Sequence, residues 1–220
     1  MNEQEKETAI RENAAFCAAF LGTLLYRNPA SEEAGILMAE IGHVEPFEAW
    51  PFGQADIIRR AFDAMTGWLA DHGRPNLTDC GQPSLVEDYQ ELFVGPFKLK
   101  APPWGSVYLD YESVLFGCST RELRIWMRDN SLSLALNQNE PEDHVGLLLL
   151  LFSRVIIERP ELVDTLLKQH LCPWVHRFLE IMAQEASTEF YEGLALLTDE
   201  TIVGFEKAFD ISVSTRRLYR

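Results

Sequence analysis

Apolar positions recur along this chain every three or four residues, the spacing that gathers one face of a helix. Between 3 and 26 they fall at Ile10, Ala14, Cys17, Leu21 and Leu24, and Asn28-Pro29 stops the run. The pattern returns over 32–41, and over 54–69 with Ile57, Ile58, Ala61, Phe62, Met65 and Trp68. Residues 71–83, rich in Gly, Pro and Asp, read as a loop. Ser84 followed by Glu87 is a capping box, in which hydroxyl and carboxylate each satisfy a backbone N–H that the first turn leaves unpaired. Its helix carries Leu85, Tyr89, Leu92 and Phe93 on one side and ends at Gly95-Pro96.

Ser119 with Glu122 predicts a second box ahead of Leu123, Trp126 and Met127. Asn139 and Glu142, with Pro141 in the first turn, predict a helix over 140–158. The nearly unbroken apolar run Leu147 to Phe152 implies that this helix is covered on most sides. Pro160 opens another helical stretch, and large apolar residues recur through Trp174, Phe178, Met182, Phe190 and Leu194. Residues 211–220 look irregular. No segment alternates as a strand does, and no internal repeat is present. The expectation is an all-α fold, a single-domain bundle over 1–220 with roughly ten or more helices.

A chain of 220 residues with 47% hydrophobic and 24% charged content has enough apolar surface for a core and is not of the disordered class. Its net charge of −15 makes bare nucleic acid and anionic membrane poor partners, because phosphate binding needs a basic surface. A cationic peptide would be drawn to such a surface, although solubility alone also explains acidic composition. Cys17, Cys80, Cys118 and Cys172 are too scattered for zinc or dithiol chemistry. The polar start of the chain does not read as a secretory signal, and the apolar stretch 145–152 is too short to span a bilayer. The expectation is a cytoplasmic protein with no stable membrane insertion and no nucleic-acid partner.

Enzyme signatures are missing: there is no phosphate-binding glycine loop, no nucleophile elbow and no histidine pair at metal spacing. The expectation is therefore a non-enzyme with no cofactor and no metal. The compact polar cluster is Asn139-Glu140-Pro141-Glu142-Asp143-His144. Helix capping explains carboxylates there, Glu142 first, while Asp143 and His144 offer a hydrogen-bonding site for a cationic ligand. A second group of residues surrounds the sequence FKLKAPPWGS, whose adjacent prolines stiffen an extended backbone. Tyr89, Phe93, Phe97, Trp104 and Tyr108 flank it. These rings either pin a long loop onto the bundle or wall a groove for an apolar segment and clamp a guanidinium.

The run EDYQELFVGPFKLKAPPWGSVYLDYESVLFGCSTRELRIWM, with NQNEPEDHVGLLLL and HLCPWVHRFL, resembles the TorD/DmsD family of redox-enzyme maturation chaperones. The likeness covers most of the chain and is strongest over 89–151. It implies an all-helical, monomeric chaperone that binds the twin-arginine leader of a molybdopterin-containing catalytic subunit of the DMSO reductase type. Export is thereby held back until the cofactor is inserted and the enzyme is folded, with the twin-arginine translocase as a further contact. Carried over by position, the implied peptide-binding residues are Tyr26, Tyr89, Leu92, Phe93, Phe97, Pro103, Trp104, Tyr108, Glu140, Asp143 and His144. Tyr89, Phe97 and Tyr108 stand where the family can carry tryptophan, which keeps an aromatic face and shifts leader preference. Competing readings are a leader-independent cofactor-insertion chaperone and a guanine-nucleotide-binding maturation enzyme.

Thr215-Arg216-Arg217-Leu218-Tyr219 itself resembles the core of a twin-arginine motif, but no apolar run follows it. It is either a basic segment neutralising acidic neighbours or an occupant of the binding groove when no leader is present.

Overall fold

A computed structural model describes residues 2–41, 50–72, 83–113, 115–134, 140–213 and 216–220. The regular elements among them are all helical, in the order α1 (Glu3–Tyr26), α2 (Glu32–Ile41), α3 (Ala55–His72), α4 (85–94), α5 (Gly105–Leu109), α6 (Cys118–Asp129), α7 (Val145–Glu158), α8 (160–185) and α9 (Glu189–Ala208). The all-α expectation holds, with nine continuous helices among the described residues in place of ten or more. α4 changes from an α-helix (Leu85–Tyr89) to a π-helix (Gln90–Val94). α8 begins as a 3₁₀ turn on Pro160 and passes through a π stretch (Leu166–Leu171).

Of the three predicted helix caps, one forms as read. Ser84 accepts from the Glu87 amide, and the Glu87 carboxylate accepts from the Ser84 amide. At α6 the pairing of Ser119 with Glu122 does not form. Asp110, from outside the helix, takes the Ser119 amide and hydroxyl instead, at 3.3 and 3.0 Å. The helix predicted over 140–158 starts at Val145, with His144 as its N-cap: the Gly146 amide donates to His144 Nδ1 at 3.1 Å. Asn139 lies outside the described residues, as do 73–82 of the predicted loop.

The chain forms two compact units, each assembled from distant stretches of sequence. The first comprises Met1–Tyr26, Pro103–His176 and Glu206–Arg220, and the second Arg27–Pro102 and Arg177–Phe205.

In the first unit α1 lies along α7. Ala14, Cys17, Leu21 and Leu25 meet a helix whose residues Val145, Leu148, Leu149, Leu151 and Phe152 are fully buried. The backbones nearly touch at Gly22 and Gly146. A Cβ on Gly146 would lie 2.7 Å from both the Gly22 carbonyl oxygen and the Tyr26 Cβ. Only hydrogen at that position lets the helices close and brings Tyr26 over the start of α7.

In the second unit the core is aromatic. Phe93 packs on Phe178 and Tyr191, and Trp68 on Phe190. Phe52 meets Phe205 edge-on. The carboxylate of Asp88, wholly buried, accepts the Ser187 and Thr188 amides and the Thr188 hydroxyl at 2.7–3.1 Å, and so caps α9. Desolvation pushes its pKa up against these hydrogen bonds.

The close approach predicts that Gly146→Ala destabilises the fold by about 1–3 kcal/mol, because overpacking shifts backbone. At exposed Gly67 in α3 a Cβ meets nothing within 4 Å. There Gly→Ala should instead stabilise by roughly 0.5–1 kcal/mol, through helix propensity and reduced freedom of the unfolded chain. Urea unfolding of the two variants checks both signs, and equal effects would refute the packing argument.

Candidate functional site

The prolines at 102 and 103 hold the chain extended ahead of α5, and the segment ahead of α7 runs antiparallel to it. Trp104 and His144 form an isolated antiparallel bridge. Two backbone hydrogen bonds close it: Val145 N–H to the Pro103 carbonyl at 2.8 Å and Gly105 N–H to the Asp143 carbonyl at 3.1 Å. This clamp belongs entirely to the first unit.

Each site side chain in this unit takes its place from the clamp. Asp143, 3% exposed, turns inward, and its Oδ2 accepts the Ser106 amide at 2.7 Å, in the first turn of α5. Desolvation raises its pKa, and that amide opposes the rise. The hydroxyls of Ser106 and Thr120 face the same carboxylate and also pull its pKa down. Neither closes a well-formed hydrogen bond to it, and Oδ1 remains without one among the described residues. His144, 4% exposed, is wedged edge-on between Tyr26 and Trp104, with ring centroids at 5.2 and 5.9 Å. Burial pulls its pKa down to about 3, so the imidazole is neutral at physiological pH and acts as a cap.

The outer wall of the clamp is amphipathic. Half-buried Trp104 donates its indole N–H to Glu140 Oε1 at 2.8 Å. Partial burial raises the Glu140 carboxyl pKa and this hydrogen bond lowers it. Glu142 is engaged by Arg124 at 2.6 Å. Tyr108 is sealed within the unit, stacked on Trp174 at 5.5 Å, and Pro103 is buried. The exposed edge of this site therefore belongs to Trp104, Glu140 and Tyr26, with Asp143 and His144 as its floor.

The other implied residues lie in the second unit. Tyr89, Leu92 and Phe93 are core residues, and Tyr89 meets Phe93 edge-on at 5.3 Å. Phe97, by contrast, is 87% exposed. It lines a largely apolar cleft of about 410 Å³ with Gln90, Glu91, Gly95, Pro96, Lys98 and Lys100. Gly95 makes the turn possible: its φ of +100° is a conformation that L side chains rarely adopt. Its amide also closes the last π-type hydrogen bond, to the Gln90 carbonyl at 2.8 Å. Lys100 is tied to Glu91 at 2.6 Å and to Ser187 at 3.1 Å, bracing the far wall.

Sequence reasoning missed Ser106, Thr120, Asp110 and Arg124, and none carries a local signal, since each acts through a partner at least nine residues away. Among the described residues no cluster of His, Cys, Asp and Glu could hold a metal ion, and no helix is long and apolar enough to cross a membrane.

An all-helical chain with a paired APPWGS–EPEDH clamp is the frame of a TorD/DmsD-type chaperone, and comparison with known proteins agrees. Residues 58–180 match the family described as nitrate reductase delta subunit. The chain is 36% identical to the Tat proofreading chaperone DmsD of Salmonella typhimurium, over 96% of its own length and 97% of that protein. It is 42% identical over 139 residues to the probable Tat proofreading chaperone DmsD of Haemophilus influenzae, covering 63% and 68% of the two chains. A more distant relative, at 26% over 83% of this chain and 88% of the other, is the chaperone protein YcdY of Escherichia coli. The chain belongs to the TorD/DmsD family of chaperones.

The buried His144 predicts a pH dependence of known sign. Its unfolded pKa is 6.5 and its folded value about 3. Between these the unfolded chain binds more protons, so stability falls as pH drops below 6.5, at up to about 1.4 kcal/mol per unit. His170, pulled down to about 4, acts in the same direction. His144→Asn keeps a capping side chain without the titration. It should lose less stability between pH 7 and pH 5 than the wild type in denaturant titrations, and equal losses would contradict the assignment.

Proposed function

We propose that this chain is a cytoplasmic, monomeric maturation chaperone, not an enzyme. It binds the twin-arginine leader of a molybdopterin-containing subunit of the DMSO reductase type and keeps that subunit from the translocase until it is folded and loaded. The observation that carries this reading is the Trp104–Glu140 pair. It puts an aromatic face and a partly desolvated carboxylate side by side on one edge of a rigid clamp.

A leader joins basic residues to an apolar stretch, so its receptor needs both kinds of surface. Trp104 and Tyr26 supply rings for the apolar part, and the exposed Phe97 offers a second anchoring point. Each well-buried large side chain of the leader would contribute roughly 1.5–3 kcal/mol. The basic residues are met by carboxylates of the first unit, half-buried Glu140 foremost, with exposed Glu112 in the turn after α5 and exposed Glu122 on α6. Guanidinium pairs with carboxylates in two parallel hydrogen bonds, which explains a preference for arginine over lysine. A net charge of −15 assists encounter and makes it sensitive to salt. Asp143 and His144 contribute indirectly, by fixing the edge on which Trp104 stands.

Calorimetry with a twin-arginine leader peptide tests this. Trp104→Ala should weaken binding by about tenfold or more, a loss of at least ~1.4 kcal/mol. Phe97→Ala should weaken it without altering stability by more than roughly 0.5 kcal/mol, because the ring packs on little. Unchanged affinity in both variants would overturn the site. Tight binding of the enzyme subunit with its leader removed would favour a leader-independent chaperone instead.

A further inference from the structure

The segment Arg216–Arg220 does not trail away from the first unit. Tyr219 donates its amide to the carbonyl of Tyr108, at the end of α5, over 2.9 Å. Its ring stands edge-on to Tyr111, 5.6 Å between centroids. Arg217 lies over that same Tyr219 ring at 5.1 Å. Arg216 reaches Glu122 on α6 at 4.0 Å. The first unit also holds a buried histidine. His170 is 8% exposed, packs against Trp126 at 5.2 Å, and keeps Nε2 without a hydrogen-bond partner among the described residues. The charge of Arg216 adds to burial in holding His170 neutral.

The chemistry of the bound segment is two adjacent arginines, one intervening residue and an aromatic. A leader of the twin-arginine kind presents the same order. We infer that Glu122, the Tyr108 carbonyl and Tyr111 form a seat for an arginine pair followed by an aromatic, and that Arg216–Tyr219 fills it as a built-in competitor of the leader. This rests on the leader-binding function proposed above and names where the arginine end of the leader sits.

The contacts suit a competitor. A single exposed ion pair, one backbone hydrogen bond and one ring contact are each weak, so the segment is displaceable. Leader affinity is then reduced by the fraction of molecules whose seat is free. A leader adds an apolar stretch, which this segment lacks, and so prevails when present. The segment touches Tyr111 and Glu122 without burying either, which leaves both open to an incoming leader.

The test compares the full chain with one ended at Val213, using a fluorescent twin-arginine leader peptide and polarisation. The shorter chain should bind about threefold to tenfold more tightly, as expected if the seat is mostly filled at rest. Arg216→Ala combined with Tyr219→Ala in the full chain should give the same gain, which guards against a folding defect in the shortened form. A free peptide of residues 216–220 should bind the shortened chain and compete with the leader, and Glu122→Gln should weaken that binding severalfold. Equal leader affinity of all chains, or failure of the free peptide to bind, overturns the inference and leaves the leader-binding function standing. Failure of every chain to bind the leader overturns the function itself.

Discussion

A carboxylate can lie among apolar walls only if hydrogen-bond donors replace the water it loses. Asp143 meets that condition through the Ser106 amide, and its own carbonyl takes the amide of Gly105. One residue thus fastens the start of α5 to the approach of α7 through both side chain and backbone. With Val145 bonded to Pro103 on the other side, Trp104 and His144 are held side by side. The edge that Trp104 presents, and the glutamate held by its indole, are consequences of that buried fastening.

The same solution occurs in the second unit. Asp88 is also buried and also accepts backbone amides, at Ser187 and Thr188, so that α9 starts against α4. Both carboxylates have raised pKa values because burial outweighs the donors around them. Packing completes the arrangement in the first unit. The contact of Gly22 with Gly146 lets Tyr26 descend onto His144, and a neutral imidazole fits between two aromatic rings where a charged one would be desolvated at high cost. Rigidity at this level favours recognition, since a preformed edge spends little entropy on ordering when a peptide arrives.

Much of this was legible in the sequence because it is local. Helical periodicity located α1, α2 and α3, and the Ser84–Glu87 box formed as read; the single helical stretch read from Pro160 through Leu194 is two helices, α8 and α9. What failed was local chemistry overruled from a distance. Ser119 and Glu122 have the spacing of a capping box, yet Asp110 captures Ser119, and Glu122 is left pointing at Arg216. Carboxylates before α7 looked like first-turn residues, but the bridge to Trp104 keeps 140–144 out of the helix and makes His144 the cap. Among the implied site residues, burial could not be read from residue type. Phe93 and Phe97 are alike in the sequence, but Gly95 turns the chain between them, leaving one in the core and the other in water.

The account depends on a leader resting against Trp104 and Glu140. The indole N–H of Trp104 reports on both at once, because it donates to Glu140. Its resonance, assigned by comparison with Trp104→Phe, can be followed by ¹⁵N NMR as leader peptide is added. The account predicts a saturating shift of that signal with a twin-arginine leader, and a much weaker response when both arginines are replaced by glutamine. An indole signal that stays in place while the peptide binds would contradict it.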